Sequence, residues 1–302
     1  MLVNAPSGST DPGGAFPRFR TGRRPIFLVS VLSFLLLFAA PAGATWSIVG
    51  VDPETDEVGV AIASCVPGIL LGPLDEPLEP VALVPGVGAG VSQAALNGEA
   101  PPEIRRLISA GMDADGIVSS LTAASFDDRS QDRQHAVVLL DGDAAGFTGT
   151  SNQAVALHRR GTFVQAQGNI LVSEAVVEDA IAAFEVTEGD LTSRLVAALQ
   201  AGADAGGDAR CGEQTALFAH VAVAGPQDDA AAPGVLLSVS VVEGEGANPV
   251  DLLSAAYAAG ERRWVSGPTF LEAYGPALAV VGLGVIAIVG VGLGIRHRRR
   301  AS

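Results

Sequence analysis

Apolar residues form two nearly unbroken runs near the ends of the chain, Ile26–Ala40 and Ala277–Ile295, while between them they alternate or recur at helical spacing. The internal pattern predicts strands and helices in a regular order. Thr45–Val51 alternates loosely and reads as a strand; Asp52-Pro53-Glu54-Thr55 is a turn with proline at its second position, and Val58–Ala63 is the return strand. Ser64–Pro80 reads as a loop, followed by a strand pair, Val81–Pro85 and Gly88–Ala94, around Gly86. Pro101-Pro102 opens a helix to Ala110, and Asp113 or Asp115 caps a second one to about Ala123. Gln134–Leu140 and Ala144–Thr148 flank Asp141-Gly142-Asp143 as a hairpin, and Phe163–Val172 is a further strand. Ser173 is expected to cap a helix to Glu185, Asp190 to cap Leu191–Ala201, and Gly202 to end it. Thr215–Ala224 and Gly234–Val242 read as the last strands, and Pro249–Ala259 as a closing helix.

Helices in antiparallel pairs and strands in hairpins favour segregated layers over a parallel βαβ sheet. The fold class expected from this order is α+β, with two stacked sheets covered by helices. No glycine-rich phosphate loop, Gly-x-Ser-x-Gly elbow or internal repeat is present.

The terminal runs set the expected location. Arg18, Arg20, Arg23 and Arg24 precede Ile26–Ala40, and the small-residue triplet Ala42-Gly43-Ala44 follows it. A basic flank, an apolar core and a small-residue cut site make a secretory signal over residues 1–44. Ala277–Ile295 carries no charge and is followed by Arg296, His297, Arg298, Arg299 and Arg300. At about 1.5 Å per residue it is long enough to cross roughly one hydrocarbon thickness. The arginines predict a cytoplasmic tail over 296–302. This end also resembles bacterial C-terminal sorting signals. The expected protein is a single-pass membrane protein with a domain at 45–260 outside the cytoplasm, a juxtamembrane linker at 261–276 and a transmembrane helix at 277–295.

Charge narrows the partners. The chain has no lysine, and eight of its 18 basic residues lie in the terminal segments. Ten arginines therefore face 32 acids in the exported part, a net charge of −22. Repulsion from phosphate disfavours nucleic acid and docking on anionic lipid. Cys65 and Cys211 are the two cysteines; in an exported chain an even count favours a disulfide, with a free thiol as the alternative. Neither they nor His135, His158 and His220 show metal-ligand spacing, so no metal or other cofactor is expected.

Candidate chemistry sits at the predicted cut. Removal of residues 1–44 makes Thr45 the first residue. A first-residue threonine carries a nucleophilic hydroxyl and an α-amine base together, the amine with a reference pKa of roughly 8.

Several stretches resemble the bacterial domain-of-unknown-function 1028 family: Thr45-Trp46-Ser47-Ile48-Val49, Asp52-Pro53-Glu54-Thr55, Gly59-Val60-Ala61, Arg133-Gln134, Phe147-Thr148-Gly149, Gln165-Ala166-Gln167-Gly168-Asn169 and Gly206-Gly207-Asp208. That family is similar in fold to the N-terminal nucleophile (Ntn) hydrolases, which have a four-layer αββα sandwich and cut amide bonds with a first-residue Thr, Ser or Cys. The resemblance implies an amide or peptide-like substrate and Thr45 as nucleophile. It makes Asn169 either an oxyanion donor or a polar residue at a strand end. Ser92, Gln93 and Gln167 become site-lining candidates beside a strand-end role. Arg133 becomes either an electrostatic aid, where related enzymes use lysine, or a structural ion-pair residue. A Cys65–Cys211 bridge would brace the loops around the pocket. The alternative function is a non-catalytic envelope domain for binding or structure. Substrate and oligomeric state are not legible.

Overall fold

The computed structural model describes residues 45–68, 73–244 and 246–267. The expected leader, membrane span and basic tail lie outside the described residues, among which no helix is long and apolar enough to cross a membrane.

Two sheets stack face to face, with helices on both outer sides. β1 (Thr45–Asp52) and β2 (Glu57–Ser64) form the first hairpin, in register from Asp52↔Glu57 to Thr45↔Ser64. β3 (Val81–Val84) and β4 (Gly88–Ala94) follow, then α1 (Ala100–Ser109) and α2 (Ala114–Thr122). β5 (Arg133–Leu139) pairs with β6 (Ala144–Thr148), and β7 (Leu157–Gly161) with β8 (Val164–Asn169). α3 (Ala175–Val186) and α4 (Leu191–Asp204) come next. The described chain ends with β9 (Phe218–Ala224), β10 (Val235–Ser240), α5 (Pro249–Ala258) and β11 (Arg263–Ser266). Among the described residues the larger sheet has seven strands in the order β11-β10-β9-β2-β1-β8-β7, and the smaller has four, β3-β4-β5-β6.

Strand alternation explains the layers, because successive side chains point to opposite faces. From β1, Trp46 and Ile48 join α3 and α4 residues such as Phe184, Leu195 and Leu199 in one buried cluster. Val49 and Val51 join Val91, Ala136 and Val138 from the smaller sheet in a second. A third cluster packs Val137 of β5 against Ile104, Ile108, Ile117 and Leu121 of α1 and α2. Both faces of β1 are therefore covered, which is why Ile48-Val49-Gly50-Val51 reads as a continuous apolar run.

Asp113 and Asp190 cap α2 and α4, accepting the N–H of Gly116 and of Ser193. Several details differ from the sequence expectation. β7 was not anticipated, because Leu-His-Arg-Arg-Gly is a polar edge strand with no alternation to reveal it. β8 is shorter than Phe163–Val172: Phe163 and Ile170 have φ of 59° and 54°, so the strand can hold only the residues between them. The N-cap of α3 is Glu174 rather than Ser173 and makes no side-chain cap hydrogen bond. Residues 263–266, placed in a linker by sequence, instead form β11, parallel to β10.

Gly202 also does not end its helix, which runs on to Asp204. It is a packing position: a Cβ there would meet Trp46 Nε1 at 2.6 Å. Gly202→Ala therefore sets a helix-propensity gain of about 1 kcal/mol against overpacking that costs about 1–3 kcal/mol. We expect net destabilisation of about 1 kcal/mol in chemical denaturation; a more stable variant would show that the indole is not confined there.

Candidate active site

Thr45 begins an interior strand and lies opposite Ser64 of β2 on one side and Asn169 of β8 on the other. Both neighbours supply side chains to it. The Thr45 N–H donates to Asn169 Oδ1 at 3.1 Å, and the Thr45 hydroxyl donates to Ser64 Oγ at 3.1 Å. Ser64 Oγ also accepts the N–H of Val66 at 3.1 Å, which holds the serine at the strand end. Thr45 is 9% exposed, while Ser64 and Asn169 are 0% and 2% exposed.

The smaller sheet reaches across to the same point. Gln93 of β4 shares a face with Val91 and Ala89, and Gln134 of β5 shares one with Ala136 and Val138. Gln93 Nε2 donates to the Thr45 carbonyl at 3.2 Å and to Gln134 Oε1 at 3.0 Å. Gln134 Nε2 lies 2.8 Å from the Gly168 carbonyl and 3.0 Å from Thr148 Oγ1. The Thr148 hydroxyl is 3.0 Å from His158 Nδ1 on β7, carrying the network to the edge of the larger sheet. Burial holds the His158 pKa below the ordinary imidazole value, with Arg159 adding to the effect.

The space between the sheets is therefore polar at the Thr45 end and apolar beyond Val49. Gln167 and Gln165 alternate with Ala166 along β8 on the face that carries Asn169. Among the described residues, Ser47 Oγ, Gln93 Oε1 and both amide atoms of Gln165 and Gln167 make no protein hydrogen bond. Ser47 and Gln167 thus leave neutral donors and acceptors two residues from Thr45 and Asn169, with Gln165 further along β8 and Gln93 on the facing sheet.

Of the sequence candidates, Thr45, Asn169, Gln93 and Gln167 come together at this end of the sandwich. Ser92 does not: it is paired with His135 and takes the alternate face of β4 from Gln93. Arg133 does not either. Its Nε donates to Asp127 at 2.8 Å and its Nη1 to the Ala95 carbonyl at 2.7 Å, in a buried ion pair that anchors the start of β5. Cys65 and Cys211 form a disulfide with Cα atoms 5.8 Å apart, next to Ser64. Ser64 was missed: its pairing with Thr45 follows from the Asp52↔Glu57 register, whereas a turn closed over Asp52–Thr55 would set Ile62 opposite Thr45. Gln134 was quoted only as part of a motif, and no local pattern shows that its amide crosses between sheets.

Two open clefts lie elsewhere. One, of about 420 Å³, is lined by Glu76, Glu79, Arg105 and Asp229 among others; one of about 350 Å³ lies by Val87, Met112 and Asp143.

The buried titratable groups give a pH prediction. Burial pushes the His220 pKa to about 3 and the His135 pKa to about 4, Asp127 and Arg133 acting on the latter in opposite directions. Both stay neutral in the fold but charge in the unfolded chain below about pH 6.5, so stability present above that pH is lost on acidification. Burial raises the Asp127 pKa, but hydrogen bonds from Arg133, the Arg129 N–H and Asn97 outweigh it and hold it at about 2. Its contribution is present above about pH 4 and is lost as pH falls toward about 2. Each histidine adds a slope of about 1.4 kcal/mol per pH unit between about pH 6 and 4. Denaturation at pH 6, 5 and 4 should show it, and His220→Phe should remove about half. A flat profile would mean that the histidines are hydrated.

A family model described as a family of unknown function, DUF1028, matches residues 45–242. A crystal structure of protein SPO2555 from Silicibacter pomeroyi, described under the same family model, aligns with a TM-score of 0.58 and 27% sequence identity, over 72% of this chain and 89% of that one. No curated protein matches the chain.

Proposed function

The chain belongs to the DUF1028 family of unknown function, and from that premise we propose that it is an exported, membrane-tethered amide hydrolase of the N-terminal nucleophile type. The observation that carries the reading is the pair of contacts at Thr45. Its nitrogen and its hydroxyl each have a side-chain oxygen partner at 3.1 Å, from Asn169 and Ser64.

Removal of residues 1–44 would turn the Thr45 amide nitrogen into a primary amine at a position that already has an acceptor. The hydroxyl oxygen attacks the substrate carbonyl and its proton passes to the amine. The C–N bond then breaks, the leaving amine takes the proton, and an ester on Thr45 remains. Water cleaves that ester and restores the hydroxyl. Asn169 serves the amine through Oδ1 and leaves Nδ2 as the oxyanion donor, a role worth about 3 kcal/mol when well placed. An α-amine with a pKa of roughly 8 is already partly neutral near pH 7, so the scheme runs without the missing lysine. Arg133 has no part in it, being committed to Asp127.

Signal peptidase would be the activating protease, which keeps the enzyme dormant until export. The unspent capacity of Gln93, Ser47 and Gln167 suits a polar, amide-bearing substrate. A second reading is a non-catalytic envelope domain. The burial of Thr45, 9% exposed with the preceding chain attached, favours that alternative.

The test is intact mass and N-terminal sequencing of the protein recovered from its export pathway, followed by labelling with a threonine-directed β-lactone. We expect a chain beginning at Thr45 and one acyl adduct, lost in Thr45→Ala with the melting temperature unchanged. A first residue other than Thr45, or labelling that survives Thr45→Ala, sinks the hydrolase reading.

A further inference from the structure

The segment after α4 grips both strand ends that flank Thr45. Asp208 is fully buried. Its carboxylate accepts the N–H of Cys65, the residue directly after Ser64, at 2.9 Å. It also accepts the Arg210 N–H at 3.0 Å and the guanidinium Nε and Nη2 at 3.1 and 2.9 Å. On the other side, the Asp208 backbone bridges Leu171, and the Ala209 N–H donates to the Ile170 carbonyl at 3.0 Å. These two residues follow Asn169, and the chain turns there through the left-handed Ile170, with φ of 54°. Cys211 closes the clasp through its disulfide to Cys65. Four consecutive residues, 208–211, therefore hold the exits of β2 and β8 together.

We propose that Asp208 is a positioning residue for the Thr45 site, setting Ser64 against the hydroxyl and Asn169 against the amine. The inference rests on the reading of Thr45 as a nucleophile. A buried carboxylate paired with a partly exposed arginine is a poor way to stabilise a fold, since apolar residues of similar volume often serve as well or better. What it supplies is direction. A carboxylate takes several charge-assisted hydrogen bonds at once, here from Cys65 and Arg210, and each fixes a different piece of chain. The disulfide limits how far Cys65 and Cys211 can separate, while the carboxylate fixes the orientation of the backbone between Ser64 and Val66. The same clasp makes the site sensitive to thiol reductants, because reduction frees one of its fastenings.

The experiment compares Asp208→Asn with the parent protein, both recovered from export and beginning at Thr45. Three quantities are read: the β-lactone labelling rate of Thr45, its pH profile, and the Thr45–Ser64 and Thr45–Asn169 separations in crystals. A folded variant should label at least tenfold more slowly, with a shifted pH midpoint and with separations lengthened from 3.1 Å. A merely structural role would lower the melting temperature and leave all three unchanged in the folded protein, which would overturn the proposal. If Asp208→Asn does not fold, reduction of the disulfide in the parent protein decides: a labelling rate that falls and recovers on reoxidation supports the clasp, and an unchanged rate refutes it. Failure of the parent protein to label at Thr45 would overturn the nucleophile reading instead, leaving the crystallographic separations to judge the clasp.

Discussion

Everything at the candidate site depends on the register of β1 between β2 and β8. A one-residue slip in a strand sends every side chain to the opposite face. Here it would move Thr45 and Ser47 into the cluster that Trp46 and Ile48 occupy against the helices, and would carry the indole between the sheets. The register is fixed by burial on both faces, because Val49 and Val51 must meet the smaller sheet while Ile48 meets the helices. It is fixed again by contacts that allow no slack, such as Trp46 against Gly202 and Phe184 against Gly50. The strand that ends at the polar site is thus located by its apolar remainder.

The polar end of the sandwich runs against the usual logic of a core. A protein hydrogen bond contributes about 1 kcal/mol net, whereas a buried polar group without one costs about 1–3 kcal/mol. The amides of Gln93 and Gln134 span the gap between sheets and spend most of their capacity on backbone carbonyls and each other. They act as cross-ties where Val–Val packing would otherwise hold the layers. Gln165 and Gln167 bring further amides to the same space, with none of their side-chain atoms paired among the described residues. Such an arrangement gives little stability for its cost, and a stretch that breaks the local rule without a stabilising return is where function is expected.

The apolar elements and the aspartate caps were legible in the sequence because each rests on local chemistry, and the Cys65–Cys211 bridge because only two cysteines were there to pair. What escaped was non-local. β7 is polar because it is an edge, and an edge strand needs no apolar face of its own. β11 is exposed and short, and only its pairing with β10 makes it a strand. Gly202 has the composition of a helix stop but the environment of a close contact, and nothing near it in sequence reveals Trp46. Thr45 was singled out by the expected export signal and Asn169 through a resemblance. Ser64 follows only from the observed hairpin register, because the four-residue turn read over Asp52–Thr55 is two residues short of the loop that pairs Asp52 with Glu57. Arg133 was legible as either an electrostatic aid or a structural ion-pair residue, and the ion pair is what forms, with Asp127 six residues away.

The contact between Thr45 N–H and Asn169 Oδ1 has a consequence for how such a site is switched on. A carboxamide oxygen accepts from a backbone amide and from an amine or ammonium alike. The uncut and cut chains can therefore share one geometry at Thr45, and folding need not wait for cleavage. What cleavage changes is basicity: a peptide nitrogen has no available lone pair, whereas an α-amine titrates with a pKa of roughly 8. Activation on this scheme is a change of chemistry inside a site that is already assembled. Ser64 belongs to the same assembled site, its hydroxyl accepting from Thr45 and from the Val66 N–H. The fold would supply position in advance, and the cut would supply the base.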